Sequence, residues 1–259
     1  MKLESNGIRI NLDDQGKGDL ALVFLHYWGG STRTWKHVIP PLAKFYRTIA
    51  VDHRGWGDSD APADGYTLAD HANDTLGVIE ALGLKRYVVI GHSMGGKVAQ
   101  FLASRRPAGL VGLVVMGSAF PGPLEFPPEV LEAVVKAYDS RESVEATLDQ
   151  MILGKPIDPA DRELVIEDNL RGARQAVEAW PRKTGQEDIR DAVSAINVPT
   201  LAIYGEKDQV HSAEGAKTEL IARIPGAVLQ VLPGTGHLYP LESPTELIRL
   251  IDQFVRGLS

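Results

Sequence analysis

The sequence predicts an α/β fold with a mostly parallel central sheet, helices on both faces, and a helical insertion. Three observations predict it: short aliphatic runs alternate with longer segments of helical period, hydrophobic residues make up 44% of the chain, and the chain has 259 residues. Such alternation is typical of a parallel sheet that is covered on both faces. The length and hydrophobic content allow a single domain with one main core.

Six short runs of β-branched or aliphatic residues predict buried strands. They are Leu20–Leu25, Thr48–Val51, Tyr87–Ile90, Val111–Met116, Thr200–Tyr204 and Val228–Leu232. Two helices have clear boundaries. Thr67 and Asp70 predict the start of a helix that ends before Gly83. The run Ser243-Pro244-Thr245-Glu246 predicts a capping box at the start of the last helix.

The stretch between residues 120 and 186 contains no strand-like run. It opens with the proline-rich PGPLEFPP and continues with amphipathic stretches such as Val130–Tyr138. We expect this stretch to form a helical lid, and its alternative is an ordinary helical layer of the main core. The predicted domain then has three consecutive parts, which are core 1–119, lid 120–186 and core 187–259.

Composition limits the partners that the protein can have. The net charge of -7 and the lack of a Lys/Arg cluster argue against nucleic acid. The chain has no cysteine, which excludes disulfides, thiol nucleophiles and thiolate metal sites. It also has no apolar run typical of a secretory signal or a bilayer span, so we expect a cytoplasmic protein without a membrane partner. A small-molecule substrate is expected, and a homo-oligomer is left open.

The run Gly91-His92-Ser93-Met94-Gly95-Gly96 is the candidate nucleophile motif. It follows the strand Tyr87–Ile90 directly and leads into the helical stretch Lys97–Ser104. A serine at the apex of a sharp strand-to-helix turn projects its hydroxyl beyond the sheet, and small neighbours let the strand and the helix pack closely. The helix N-terminus also favours developing negative charge. Ser93 is therefore the predicted nucleophile.

A serine hydroxyl needs a base and an orienting carboxylate, which in this architecture follow it in the order acid, then histidine. Asp208 follows the strand Thr200–Tyr204, and His237 follows the last strand. Glu206 competes with Asp208, and His211 competes with His237. We favour Asp208 because it is further from the strand end, and His237 because it lies on a separate loop. In the alternative reading, both residues only cap turns.

The oxyanion that develops during acyl transfer needs two preorganised N–H donors. The backbone N–H of Met94 follows the nucleophile, and the loop after the strand Leu20–Leu25 offers the N–H of Trp28. The alternative for Trp28 is a side chain that only packs in the core. The stretch Asp52–Ser59 predicts a tight turn held by side-chain hydrogen bonds. The other histidines lack the carboxylate spacing of a metal site, so no metal is expected; they are His26, His37, His71 and His92.

The segments FLHYWGGS, DHRGWGDSD, GHSMGG, YGEKDQV and GTGHLYPLESP occur in this order along the chain. In this the chain resembles the α/β-hydrolase superfamily, most closely the small bacterial serine carboxylesterases and cofactor-free perhydrolases. The resemblance covers everything except the lid. It implies an α/β-hydrolase fold, a triad of Ser93, Asp208 and His237, and the N–H groups of Trp28 and Met94 as oxyanion donors.

One residue departs from the pattern of these relatives, because Tyr27 replaces the glycine that usually follows His26. The tyrosine either strains or reshapes the oxyanion loop, or its phenol contacts the substrate. Relatives that cleave carbon–halogen bonds and most that open epoxides use aspartate where Ser93 stands, which argues against both activities.

The expected reaction is hydrolysis of a small carboxylic ester or lactone without a cofactor. The same triad also suits hydrolysis of a carbon–carbon bond or an enol-lactone, and peroxide-dependent peracid formation. A ligand-binding receptor on the same fold is the non-enzymatic alternative. The candidate substrate-binding residues are Tyr27, Phe120, Tyr138, Trp180 and Leu238, with Phe126 and Met151 as further lid candidates.

Overall fold

The computed structural model describes residues 1–258, which contain one eight-stranded sheet. The strands are β1 (Lys2–Ser5), β2 (Ile8–Gln15), β3 (Leu20–Leu25), β4 (Arg47–Val51), β5 (Arg86–His92), β6 (Leu110–Met116), β7 (Thr200–Gly205) and β8 (Val228–Leu232). Their order is β1-β2-β4-β3-β5-β6-β7-β8. The pairs from β4 to β8 are parallel, whereas β2 is antiparallel to both β1 and β4. The predicted α/β-hydrolase fold and the positions of all six predicted strands are confirmed, and β1 and β2 are additional. The predicted burial of the last strand is wrong, because β8 lies at the edge of the sheet with Val228 53% exposed and Val231 45% exposed.

Helices occupy most of the connections between the strands. They are α1 (Ile39–Leu42), α2 (Leu68–Ala81), α3 (Met94–Ser104), α4 (Pro128–Val135), α5 (Arg141–Thr147), α6 (Pro159–Leu170), α7 (Arg174–Arg182), α8 (Arg190–Val193), α9 (Ala213–Glu219), α10 (Tyr239–Glu242) and α11 (Pro244–Arg256). Short 3₁₀ turns lie at Thr32–Trp35, Thr184–Gln186 and Ile221–Arg223, and a π-helical turn lies at Leu148–Ile152. Within residues 1–258, no helix is both long and apolar enough to cross a lipid bilayer.

The two predicted helix starts have different outcomes. Thr67 caps α2 as predicted, because its side chain accepts from the N–H of Asp70 and the Asp70 carboxylate bonds back to the Thr67 N–H. The capping box predicted for α11 is wrong. The Ser243 hydroxyl bonds to Lys155 Nζ at 2.8 Å and to Thr235 Oγ1 at 2.6 Å, so it makes no capping bond to the helix.

The central strands of the sheet are buried on both faces, because their alternate side chains enter two different apolar clusters. Val23 and Leu25 of β3 pack with residues of α2 and α3. Leu22 and Phe24 pack on the other face with α1 and α11. Because these strands run parallel, the carboxyl ends of β3, β5, β7 and β8 lie at the same edge of the sheet, which is where ligands bind in open parallel sheets.

Residues 120–186, here called the helical segment, connect β6 to β7 and contain α4 to α7. Their apolar side chains pack against residues in the connections that follow β3, β5 and β8, including Tyr27, Met94 and Leu238. Both ends of the segment are tied to one cation, since Lys97 Nζ donates to the carbonyls of Gly122 at 2.7 Å and Gly185 at 2.8 Å. The segment thus covers the carboxyl edge of the sheet from a base that is fixed on α3.

The buried Lys97 predicts a pH dependence of stability. Burial lowers the pKa of its ammonium from 10.5 to about 8, although Glu187 and Asp188 oppose the shift. Between these values the unfolded chain binds more protons than the native protein, so the free energy of unfolding rises with pH. We expect wild type to gain about 2 kcal/mol over Lys97→Met from about pH 7.5 to about pH 10. Urea denaturation of both proteins measures this, and parallel pH profiles would contradict it.

Candidate active site

Ser93 occupies a strained turn between β5 and α3. Its φ of 54° and ψ of -113° lie outside the regions that side chains other than glycine usually adopt. The turn is possible because strand and helix approach closely at two glycines. A Cβ on Gly91 would lie 2.3 Å from the Gly95 carbonyl oxygen, and one on Gly95 would lie 2.5 Å from the Leu25 carbonyl oxygen. The structure therefore holds Ser93 at the N-terminus of α3, with 6% of the residue exposed.

His237 and Asp208 are joined by a buried hydrogen bond, with 2.8 Å between Nδ1 and Oδ2. The same carboxylate oxygen accepts from the Tyr239 phenol at 2.5 Å. The other oxygen accepts from the backbone N–H groups of Val210 at 2.8 Å and His211 at 2.9 Å. Burial alone would raise the pKa of Asp208, but the charge on His237 and these hydrogen bonds hold it well below its usual value. Asp208 is therefore ionised at neutral pH.

The hydrogen bond to Asp208 fixes the tautomer of the neutral imidazole. Because ionised Asp208 only accepts hydrogen bonds, the proton of neutral His237 lies on Nδ1 and the lone pair lies on Nε2. The backbone of His237 is also fixed, because its carbonyl accepts from Nε2 of His92 at 2.7 Å. The two rings have centroids 5.1 Å apart. His237 thus packs against the residue that directly precedes Ser93.

His211 and Glu206, the alternative candidates for the base and the acid, do not form such a pair. The His211 imidazole lies 5.8 Å from the His237 ring, and burial followed by repulsion from His237 lowers its pKa to about 3. It is neutral at physiological pH, and its backbone N–H, rather than its ring, contacts Asp208. Glu206 is exposed and accepts from the N–H of Gly234 at 2.8 Å. The geometry favours Asp208 and His237 as the acid and the base.

The loop after β3 holds one peptide group in a fixed orientation. The carbonyl of Tyr27 accepts from the N–H of Gly30 at 2.9 Å and from Nδ1 of His26 at 2.7 Å. His26 must donate through Nδ1, because its Nε2 accepts from the N–H of His53 at 3.0 Å. These hydrogen bonds therefore hold the peptide group between Tyr27 and Trp28 in one orientation. Neither the Trp28 N–H nor the Met94 N–H has an acceptor among residues 1–258, which suits a role as oxyanion donors.

Tyr27 stands where the similar hydrolases usually have glycine. Its φ is not positive, so the backbone strain that the sequence analysis considered for this residue is absent. Its residue is 5% exposed, and its phenol accepts from Nδ2 of Asn169 at 3.3 Å. The same amide donates to the Gly29 carbonyl at 2.8 Å. The phenol therefore contacts α6 of the helical segment in this structure.

The remaining substrate-binding candidates lie in two places. Tyr138, Trp180 and Leu238 belong to the apolar cluster between the helical segment and the strand ends. Tyr138 also donates to the Trp28 carbonyl at 2.8 Å, and the two rings lie 4.2 Å apart. Phe120 lies apart from this cluster. Its ring packs against Tyr204 at 6.3 Å and His211 at 5.2 Å.

Met151, a further lid candidate, is 47% exposed and lies outside the apolar cluster between the helical segment and the strand ends. The predicted tight turn after β4 is confirmed. Asp52 accepts from the N–H groups of Thr32 at 2.6 Å and Asp58 at 2.9 Å, and the Ser59 hydroxyl donates to the Asp52 carbonyl at 2.7 Å. Among the residues that the structure describes, no three His, Asp or Glu side chains are grouped as metal ligands.

Two residues near the site were missed by the sequence analysis. Tyr239 bonds to Asp208, and Glu242 bonds to the backbone on both sides of His237. Both residues belong to the short helix α10, and their side chains bond back to the loops that carry Asp208 and His237. The signal that could have pointed to them is their position just after His237, where polar side chains can turn back onto the same loop.

Comparison with known proteins gives the chain its class. It belongs to the alpha/beta hydrolase family, whose sequence profile matches residues 22–250. It is 32% identical to a 2-hydroxymuconate semialdehyde hydrolase from Pseudomonas sp. (strain CF600), over 96% of this chain and 91% of that one. It is also 32% identical to a non-heme haloperoxidase from Rhodococcus erythropolis, over 90% of each. An esterase from Exiguobacterium antarcticum has a similar structure, with a TM-score of 0.91, 25% identity and 98% coverage of both chains.

Proposed function

We propose that this protein hydrolyses small, uncharged carboxylic esters or lactones by acyl transfer through Ser93. The observation that carries the proposal is the His237 imidazole. It is bonded to ionised Asp208 through Nδ1, while its backbone is tied to His92, the neighbour of Ser93. The esterase with a similar fold supports the ester-cleaving reading.

In the proposed reaction, Ser93 attacks the carbonyl carbon while Nε2 of His237 takes the hydroxyl proton. The N–H groups of Trp28 and Met94 stabilise the oxyanion, and the N-terminus of α3 adds to that field. His237 then gives its proton to the departing alcohol. Water, activated by the same imidazole, releases the acid from the serine. Asp208 stays ionised throughout and stabilises the imidazolium.

We also propose that the helical segment acts as a lid. Ser93 is 6% exposed and His237 is 2% exposed, so a substrate needs the segment to move before it reaches either residue. When closed, the segment excludes water and so strengthens the electrostatic interactions inside the site. Tyr138, Trp180 and Leu238 would then contact the substrate.

The preference for uncharged substrates follows from the buried cations. Among residues 1–258 the fully buried Lys and Arg side chains are Lys97 and Arg54. Lys97 bonds to two carbonyls, and Arg54 bonds to both carboxylate oxygens of Asp74 at 2.6 Å. A substrate carboxylate that is buried among the apolar side chains would therefore lack a free partner. An unpaired buried ion costs several kcal/mol.

The test is a hydrolysis panel with a matched pair of esters, p-nitrophenyl butyrate and mono-p-nitrophenyl succinate. We expect kcat/KM for the butyrate to exceed that for the succinate by about 100-fold or more, because only the latter buries a carboxylate. Neutral lactones should also be turned over. Equal rates on the two esters would refute the charge preference, and no turnover of any neutral ester or lactone would refute the proposed function.

Further substrates added to this panel distinguish the proposed reaction from the alternatives. A carbon–carbon hydrolase should turn over a vinylogous diketone that bears a carboxylate, whereas an esterase should not. A perhydrolase should form peracid when peroxide is added to a short carboxylic acid. A receptor should bind an ester and release it uncleaved, whereas an enzyme should cycle about once per second or faster.

A further inference from the structure

Glu242, the last residue of α10, is a buried carboxylate surrounded by backbone donors. The residue is 7% exposed, and four N–H groups bond to its two oxygens. Oε1 accepts from Leu238 at 2.9 Å, and Oε2 accepts from Gly236 at 2.8 Å, Gly154 at 3.0 Å and Lys155 at 3.2 Å. Two of these donors directly flank His237, and the other two belong to the helical segment. A single side chain thus joins the histidine loop to the segment that covers it.

The backbone of His237 itself continues this connection. Its N–H donates to the carbonyl of Ile152 at 2.7 Å. The N–H groups of residues 236, 237 and 238 are therefore all held, either by Glu242 or by the helical segment. Because each peptide plane has one orientation in such a network, the Cα–Cβ bond of His237 is aimed in a fixed direction.

The two chain segments also touch without side chains between them. A Cβ on Gly154 would lie 2.4 Å from the Gly236 nitrogen, and a Cβ on Gly236 would lie 2.2 Å from the Gly154 nitrogen. Lys155 Nζ bonds to the Ser243 hydroxyl at 2.8 Å, which draws the segment onto the same loop. Close backbone contact of this kind leaves room for the Glu242 carboxylate to reach donors on both sides.

We propose that Glu242 is a positioning residue that aims the His237 imidazole at Ser93 and couples this aim to the closed helical segment. The inference rests on the proposed role of His237 as the base. Glu242 acts through the backbone and does not contact the reacting atoms. When residues 152–155 move away, the loop loses the bond from the His237 N–H, and Glu242 keeps only two of its four donors.

A carboxylate suits this role because all four partners are donors and its oxygens only accept. In Glu242→Gln one of the two oxygens becomes an NH₂ group, which then faces either the N–H of Leu238 or the three N–H groups at Oε2. The variant keeps the size of the side chain and loses at least one flanking contact of His237. A misplaced catalytic group can cost about 100-fold in rate without a comparable change in ground-state binding.

The experiment compares Glu242→Gln with Glu206→Gln on p-nitrophenyl butyrate. Glu206 is the matched control, because it accepts one N–H from the same loop, that of Gly234, and does not flank His237. For Glu242→Gln we expect kcat to fall about 10- to 100-fold while KM changes less than about twofold. The Nδ1 proton of His237 should shift or broaden in the NMR spectrum. Unchanged kcat together with an unchanged proton signal would overturn the proposal.

A second measurement uses the wild-type protein, so it remains decisive if the variant does not fold. In amide hydrogen exchange the four donors to Glu242 should exchange at a common rate, since one opening releases them together, and more slowly than Gly234. If the N–H groups of residues 154 and 155 exchange at a different rate from those of residues 236 and 238, the proposed coupling is overturned. This readout needs no turnover, so its failure is distinct from a failure of the proposed ester hydrolysis.

Discussion

Ser93→Ala should lower kcat for p-nitrophenyl acetate by about 10⁶-fold, because the proposed covalent step needs the serine oxygen. Alanine keeps the Cβ of Ser93, so the strained turn and the fold should remain. Residual hydrolysis would come from the N–H groups of Trp28 and Met94, which the substitution leaves in place. The measurement is steady-state hydrolysis together with the far-UV circular dichroism spectrum.

Ser104→Ala is the matched control for this variant. Ser104 lies at the other end of α3 and donates to the Phe101 carbonyl at 2.8 Å, far from the proposed chemistry. We expect wild-type kinetics from it. A serine-directed fluorophosphonate should also label wild type and Ser104→Ala but not Ser93→Ala. Near-normal turnover by Ser93→Ala would refute the assignment of the nucleophile.

Asp208→Asn should lower kcat by about 10⁴-fold, because it imposes the wrong tautomer on His237. The backbone N–H groups of Val210 and His211 cannot turn away from one side of the residue. The amide oxygen should therefore face them, and the NH₂ group should face His237. Nδ1 must then accept, so the proton moves to Nε2 and the imidazole can no longer act as the base.

The position of the proton on the His237 imidazole can be measured independently of the reaction rate. In Asp208→Asn the NMR signals should place the imidazole proton of His237 on Nε2, whereas wild type should have it on Nδ1. The control is again Glu206→Gln, two residues earlier on the same loop. Wild-type kcat in Asp208→Asn, or an Nδ1 proton that persists, would show that Asp208 does not orient the histidine.

The parts of the fold that were predictable are those with strong local patterns. The six aliphatic strands and α2 follow from periodicity and from the Thr67 cap. The strands β1 and β2 were missed because both are largely polar, and they form the antiparallel end of the sheet. Their turn at Asn6-Gly7 has φ values of 49° and 80°. An Asn-Gly pair is the usual signal of such a hairpin, so the sequence did contain the information.

Contacts between residues that are distant in the sequence explain the features that local sequence patterns could not predict. The run from Ser243 to Glu246 has the composition of a capping box, but Lys155 and Thr235 take the hydroxyl of Ser243 instead. Similarly, spacing suggests that Asp208 and His237 come close, but it does not reveal that Tyr239 shares the carboxylate. Phe120 was grouped with the lid by its position in the chain, whereas its ring packs against Tyr204.

Lys97 Nζ binds two carbonyls that are far apart in the sequence, and this has a consequence for protein engineering. Gly122 and Gly185 must lie within a few ångströms of each other, so the chain leaves the core and returns to it at almost one point. Such a closed loop can be exchanged for another of different length without disturbing the strands on either side. A foreign cap grafted between these two glycines would therefore change the residues that cover the proposed triad, and it would also have to supply the contacts that residues 152–155 make to Glu242 and His237.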